Sequence, residues 1–263
     1  MNNRQREERF KRVKDYWEKQ GREHGTDPLA TIKDHQFRLL EMDFIRDLLE
    51  PKDIVLDIGC GNGYQTLYYA DKVKKITGID YSENFIEAAN KAKEKSQFKK
   101  KVEFKVGDVL DLNNPENSVD IAICERLLIN LPTYKDQEKA IQNIHKVLKK
   151  GGKLILSEVT QKGHDKLNEL RKQFGLDKIK VHWHNLYIDE DKFIPFLSEH
   201  FNILSIERFG MYNFISKVIH PLLVYPEEPK FDAKINEIAR LIGSKITNFK
   251  DASHQVTFIL EKK

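Results

Sequence analysis

Three glycines at alternate positions, Gly59, Gly61 and Gly63, follow the acid Asp57, which ends the apolar run Ile54 to Leu56. Residues of these types in this order build a site for a small, charged, nucleoside-like ligand. Glycine lets backbone approach a ligand with no Cβ in the way. The helix that begins near Tyr64 and Gln65 points its N-terminal amides at the same place. An apolar run of this kind suits a strand covered on both faces. Dinucleotide sites read Gly-x-Gly-x-x-Gly, whereas this chain reads Gly-x-Gly-x-Gly and sets Tyr64 where the third glycine would stand. A tyrosine there crowds helix against strand, and Asp57 suits a ligand carrying an amino group better than a pyrophosphate.

The run Val55-Leu56-Asp57-Ile58-Gly59-Cys60-Gly61-Asn62-Gly63 resembles motif I of the class I S-adenosylmethionine-dependent methyltransferases. Further stations follow in that family's order: Ile76-Thr77-Gly78-Ile79-Asp80-Tyr81, then Val102 to Val109 with Gly107-Asp108, then Ser118 to Glu125, then Gly151 to Glu158. Asp57 and Asp80 are 23 residues apart, room for one helix. The resemblance covers about residues 51 to 208. It implies an α/β fold, a doubly wound seven-stranded sheet of order 3-2-1-4-5-7-6, with strand seven antiparallel and helices on both faces. It also implies S-adenosylmethionine as cofactor, held by Asp57, Gly59, Gly61, Asn62, Gly63, Asp80, Tyr81, Asp108, Val109 and Cys124. Asp80 is placed to accept both ribose hydroxyls, and Asp108 to accept from the adenine amino group. Each acid has a plainer reading as the cap of the next helix, and Tyr81 is either core or a face for the adenine.

Transfer from a sulfonium needs alignment of nucleophile, methyl and sulfur and exclusion of water; a hydroxyl nucleophile also needs a base within reach. His184 is the first candidate and His182 the second, because side chains on either side of Trp183 share one face of an extended segment. Both also read as structural partners of backbone. Glu125 and Arg126 can orient a polar substrate, and Arg126 can equally pair with Glu125 or Glu158. Many small-molecule members of the family carry a histidine near the place of Asn130, which weakens any base assigned there by analogy. The segment His182 to Tyr187 and the proline-rich stretch after residue 209 resemble those of bacterial methyltransferases of small-metabolite or surface-polysaccharide pathways. The expected reaction is O-methylation of a small polar metabolite, a sugar or sugar nucleotide among the candidates, in line and without a metal. An RNA methyltransferase, a nonenzymatic S-adenosylmethionine-binding module and an NAD-dependent oxidoreductase are the alternatives.

Several elements must position these residues. A charged helix over about 4 to 20 carries Phe10, Val13, Tyr16 and Trp17 as an apolar stripe; Gly21 to Pro28 breaks it, and a second helix spans Ile32 to Leu49. Residues 1–50 form an N-terminal helical cap, in the family a lid over the cofactor, with Tyr16, Trp17 and Lys33 as further site candidates. Residues 51–263 form the core, with helices near 62–71, 82–96, 135–149 and 189–199. A long excursion runs from Val159 to Glu199, and residues 209–254 form an insertion between strands six and seven. An apolar, proline-broken insertion of that length covers something: either the substrate pocket or a homodimer interface. With 40% hydrophobic residues and a net charge of +4, the chain can bury one core and does not demand a nucleic-acid partner. Cys60 and Cys124 read as free thiols of a reducing, cytoplasmic compartment, and no run reaches the length of a membrane span.

Overall fold

The computed structural model describes residues 2–250 and 252–263. Helices α1 (Asn3–His24) and α2 (His35–Arg46) come first. The alternating part follows as β1 (Ile54–Ile58), α3 (Tyr64–Tyr69), β2 (Lys75–Asp80), α4 (Glu83–Glu94), β3 (Val102–Val106), β4 (Val119–Glu125), α5 (Tyr134–Val147) and β5 (Leu148–Val159). Helices α6 (Gln161–Gln173) and α7 (Glu190–His200) then lead to β6 (Phe201–Arg208). The chain returns through α8 (Gly210–Phe214), a π-helical turn (Ile215–Ile219), α9 (His220–Val224) and α10 (Lys234–Gly243) to β7 (Gln255–Lys262). The strands form one sheet of order β3-β2-β1-β4-β5-β7-β6, with β7 antiparallel to β5 and β6, the order the sequence predicts.

Strand alternation divides the core. Leu56, Ile58, Ala122 and Cys124 face α5 and α7, whereas Val55, Ile121 and Ile123 face α3 and α4. Both faces are covered, which is why these strands read as continuous apolar runs. Parallel β1, β2 and β4 all end at one edge of the sheet, so the residues that follow them meet there. A crevice at the carboxyl ends, where the strand order reverses, is the general ligand position of such sheets.

Three local expectations are corrected. Helix α1 does not break at Gly21 but runs to His24, because Gly21 is its point of closest approach to α4: a Cβ there would lie 2.9 Å from the Phe85 amide nitrogen. The stop comes at Gly25, with φ +51°. The excursion after β5 holds a helix that periodicity did not show, since the buried side of α6 is Gly163, His164, Leu167 and Asn168, only one of them a large hydrophobe. The insertion is mostly helical: α8, the π-helical turn and α9 run on without a break from Gly210 to Val224, with Pro221 directly after the π-helical turn. Its apolar face, Tyr212, Ile215 and Ala239, packs on Phe37 and Leu40 of α2. Among the described residues no helix is long and apolar enough to cross a membrane.

Candidate active site

The carboxyl edge of the sheet opens into a cavity of about 1920 Å³. Gly59, Cys60 and Gly61 form its floor, with Asp80 and Tyr81 at the end of β2, Asp108 and Val109 after β3, and Glu125 and Arg126 at the end of β4. Gly59, Gly61 and Gly63 have φ of +78°, +53° and +74°, so the turn requires glycine at each. A Cβ on Gly63 would also lie 2.4 Å from the Phe104 ring.

Asp80 anchors this loop to the next strand. One carboxylate oxygen accepts from the Gly61 amide at 3.0 Å and the other from the Ser82 amide at 2.9 Å. Each oxygen keeps a second lone pair, so the carboxylate can still accept two neighbouring hydroxyls of a ribose. Burial lifts its pKa to about 6 against the opposing pull of those two amides. Asp108 accepts from the Leu110 amide at 2.8 Å and likewise keeps an oxygen free for an amino group. The donor set thus fits a nucleoside whose ribose and base both offer N–H or O–H groups.

Four residues expected at the cofactor lie behind the wall instead. Asp57 turns toward α3, where it accepts from the Thr66 hydroxyl at 2.5 Å; burial raises its pKa to about 6. Asn62 is buried and donates to the carbonyls of Gly25 and Asp27, tying the loop to the segment after α1. Gly63 caps α3 under Phe104, and Cys124 is fully buried in the sheet. Their places are supports for the loop rather than parts of the cavity surface. Cys60 and Cys124 are both free thiols.

Helix α1 lies across the α4 end of this edge. Glu18 accepts from the Ser82 hydroxyl, the Glu83 amide and the Asn84 side chain, so it caps α4 from outside. Trp17 Nε1 donates to Asn130 Oδ1 at 3.0 Å, and Arg6 forks onto Asp136. Phe10, Tyr16, Trp17 and Lys33 reach the cavity wall. Asn130, standing where many relatives have histidine, is therefore a fastening for α1.

His182 and His184 are brought together, though by a turn and not by an extended strand: the Asn185 amide donates to the His182 carbonyl at 3.0 Å. Their rings stack at 5.6 Å, and His184 stacks on Tyr16 at 4.8 Å, with Trp17 edge-on. Burial, then the charges of His182 and Arg9, push the His184 pKa down to about 4. Its Nδ1 has no hydrogen-bond partner among the described residues. A neutral imidazole thus sits on the cavity wall, with its Nδ1 buried and unpartnered.

Arg126 does not offer a free guanidinium. It bonds Glu41 of α2, stands 3.6 Å from Glu125, and 3.5 Å from Gln65 Oε1. Glu158, its other expected partner, accepts instead from the Leu128 and Ile129 amides. Glu125 accepts from Gln65 Nε2 at 2.6 Å and Tyr69 at 3.2 Å, and burial, then Glu41, push its pKa well up. Arg38 completes the group, bonding Gln65 and Thr31. Sequence reasoning missed Arg38, Glu41 and Gln65. The signal was present, because Glu41 lies one turn from Phe37 on the inward stripe of α2, where a charge needs a buried partner.

This geometry agrees with the comparisons. The ubiquinone biosynthesis O-methyltransferase of Coxiella burnetii is 29% identical over 149 residues, 57% of this chain and 58% of that protein. The 27-O-demethylrifamycin SV methyltransferase of Amycolatopsis mediterranei is 32% identical over 138 residues, 51% of this chain and 50% of that one. The chain spans about half the length of the curated relatives it matches. A solved S-adenosylmethionine-dependent methyltransferase of Methanosarcina mazei shares the fold with a TM-score of 0.57 at 22% identity, covering 83% of this chain and 96% of that one. Residues 49–192 match the family model described as a methyltransferase domain. That match takes in more than half of the sequence, so the chain belongs to the methyltransferase-domain family, whose cofactor is S-adenosylmethionine.

Proposed function

We propose that the protein transfers the methyl group of S-adenosylmethionine to an oxygen of a small polar acceptor, with Asp80 and Asp108 holding the nucleoside and His184 taking the acceptor's proton. The observation that carries this reading is the single cavity whose wall includes the glycine loop, both acids and a neutral histidine. The sulfonium supplies an activated methyl group. The chain supplies alignment, a cover of α1 that excludes water, and a proton acceptor. Glu125 and Arg126, locked with Glu41, Gln65 and Arg38, set a rigid and nearly neutral wall instead of a charged grip on the acceptor. Two of the curated relatives bear names of O-methyltransferases or of a methyltransferase acting at an oxygen position, which supports oxygen as acceptor. The expected result is a methylated small molecule when a metabolite extract is incubated with methyl-labelled cofactor and resolved by mass spectrometry. Label appearing only in RNA, or nowhere despite tight cofactor binding, would sink the reading.

Asp80 gives a second, independent check. Asp80→Ala is expected to weaken S-adenosylhomocysteine binding by roughly 2 kcal/mol, the scale of two hydrogen bonds to a charged acceptor. In the native protein, affinity should fall as pH drops through about 6, because the proton that Asp80 gains there turns an acceptor into a donor. Asp80→Asn should remove that dependence. Calorimetric titration between pH 5 and 8 on both variants reads it, and an unchanged profile would exclude the ribose role.

A further inference from the structure

Helix α1 is fastened across the edge of the sheet at both ends of the crevice. On one side Arg6 holds Asp136 of α5, and Trp17 holds Asn130 after β4. On the ribose side the fastening is Glu18, whose carboxylate accepts from three consecutive residues at the start of α4. The donors are the Ser82 hydroxyl at 2.9 Å, the Glu83 amide at 3.0 Å, the Asn84 amide at 3.3 Å and the Asn84 side chain at 2.7 Å. The first amides of a helix have no partner within it, and here another helix supplies one. The close approach at Gly21, and the ring contacts of Phe10 with Tyr81 and of Trp17 with Phe85, seat α1 on the same turn.

Ser82 carries this contact to the cavity. Wholly buried, it donates its hydroxyl to Glu18, accepts from the Phe85 amide at 3.2 Å, and donates its own amide to Asp80 at 2.9 Å. Glu18 is not among the residues that line the cavity, whereas Asp80 is. The Ser82 and Gly61 amides each hold one oxygen of Asp80, so the position of the Ser82 turn sets how that carboxylate faces the cavity. With α1 withdrawn, the Glu83 and Asn84 amides would turn to water and the negative charge that favours this helix end would be gone.

We propose that Glu18 is a positioning residue for cofactor binding: through Ser82 it fixes the Asp80 carboxylate toward the ribose and makes cofactor affinity depend on α1 being seated. The inference rests on the ribose role of Asp80 proposed above.

The same contact carries an opposite electrostatic effect. Around Asp80 and Tyr81 stand Glu18 and Lys14 of α1, Asp57 of β1, Cys60 of the glycine loop, Glu83 of α4 and Asp108 after β3. Against burial, the bonds from Asn84, Ser82 and Glu83 hold Glu18 below the usual carboxylate range, so it is charged between pH 5 and 8. After burial, that charge helps to raise the Asp80 pKa. Removing it therefore lets Asp80 stay ionised to lower pH, while the lost hydrogen bonds loosen its orientation. A residue that only stabilises the fold would not produce this pair of effects.

Calorimetric titration of S-adenosylhomocysteine into the native protein, Glu18→Ala, Glu18→Gln and Arg6→Gln between pH 5 and 8 reads both. Glu18→Ala should bind about five- to tenfold more weakly at pH 8, and Glu18→Gln, which keeps one acceptor oxygen, should lose less. In both, the acid decline of affinity should move to lower pH. Arg6→Gln loosens α1 at its far end and should keep the native midpoint. Asp57, whose pKa is also about 6, is common to all four proteins, so the displacement reports Glu18. Glu18→Gln carries the test where the alanine variant does not fold. Native affinity and midpoint in a folded Glu18 variant overturn the proposal. An equal displacement in Arg6→Gln overturns it too, because the effect is then a general loosening of α1. If Asp80→Asn keeps the native pH dependence, the ribose role falls and this coupling with it; if Asp80 behaves as expected and Glu18 is indifferent, only the coupling falls.

Discussion

Replacing Glu41 by alanine destabilises the fold by about 3–5 kcal/mol, the range for removing one partner of a buried ion pair. Glu41 is wholly buried, and it accepts from the Arg126 guanidinium, the Ser157 hydroxyl and the Gln255 amide. Those donors come from the segment after β4, from β5 and from β7, so one carboxylate of α2 ties the cap to the middle of the sheet. Its loss removes the nearest carboxylate from Arg126, in a place where burial already works against the charge and Glu41 and Glu125 together hold it. Arg126 also has φ +52°, a conformation that a side chain adopts only when its surroundings hold it. Urea unfolding of Glu41→Ala and Glu41→Gln separates the contributions. The glutamine variant keeps hydrogen bonds to Arg126 and Ser157 without the charge and should lose less. Equal stability of native and alanine proteins would show that the network does not couple cap to sheet.

The buried charges also explain what the sequence could and could not reveal. The sheet order was legible because Ile54 to Leu56, Ile76 to Ile79 and Ile121 to Ile123 are apolar on both faces and end at glycine or acid, and only a covered parallel sheet needs such strands. That Asp80 and Asp108 reach the crevice was legible for the same reason, since a strand end fixes where its next residue stands. Asp57 was misplaced, although its strand was right, because period-two alternation turns position 57 away from the cavity floor and toward Thr66. Glu41 and Arg38 showed only as charges on an inward stripe; which partners they take was not legible. Their partners lie more than 80 residues away in the case of Glu41 and Arg126, a juxtaposition made by tertiary packing alone. Helix α6 was missed because its buried side is polar and small, so it carries no apolar period for a reader to count. The histidine segment was read correctly as a pair on one face but for the wrong reason, the turn replacing the strand.

His184→Ala is expected to lower turnover by about 10²-fold while leaving cofactor affinity intact, the lower end of the range for loss of a positioned general base. The lower end applies because a base whose pKa lies at about 4 provides less driving force than one near 7. The competing account is mechanical: His184 stacks on Tyr16 of α1 and is edged by Trp17, so it holds the cover closed. His184→Phe decides between them, since phenylalanine keeps the stack and cannot take a proton. Both variants slow by a similar factor if the imidazole is the base; recovery in the phenylalanine variant assigns the residue to packing. The pH behaviour is a second discriminator. With a folded pKa of about 4 against 6.5 in the unfolded chain, His184 stays neutral in the native state while the unfolded chain takes up its proton. Its contribution to stability is therefore whole above pH 6.5 and declines as pH falls toward 4. Turnover at saturating cofactor, in contrast, should show no acid limb between pH 6 and 8, because the base is already deprotonated there. An acid limb in that range would mean that the proton acceptor is another group.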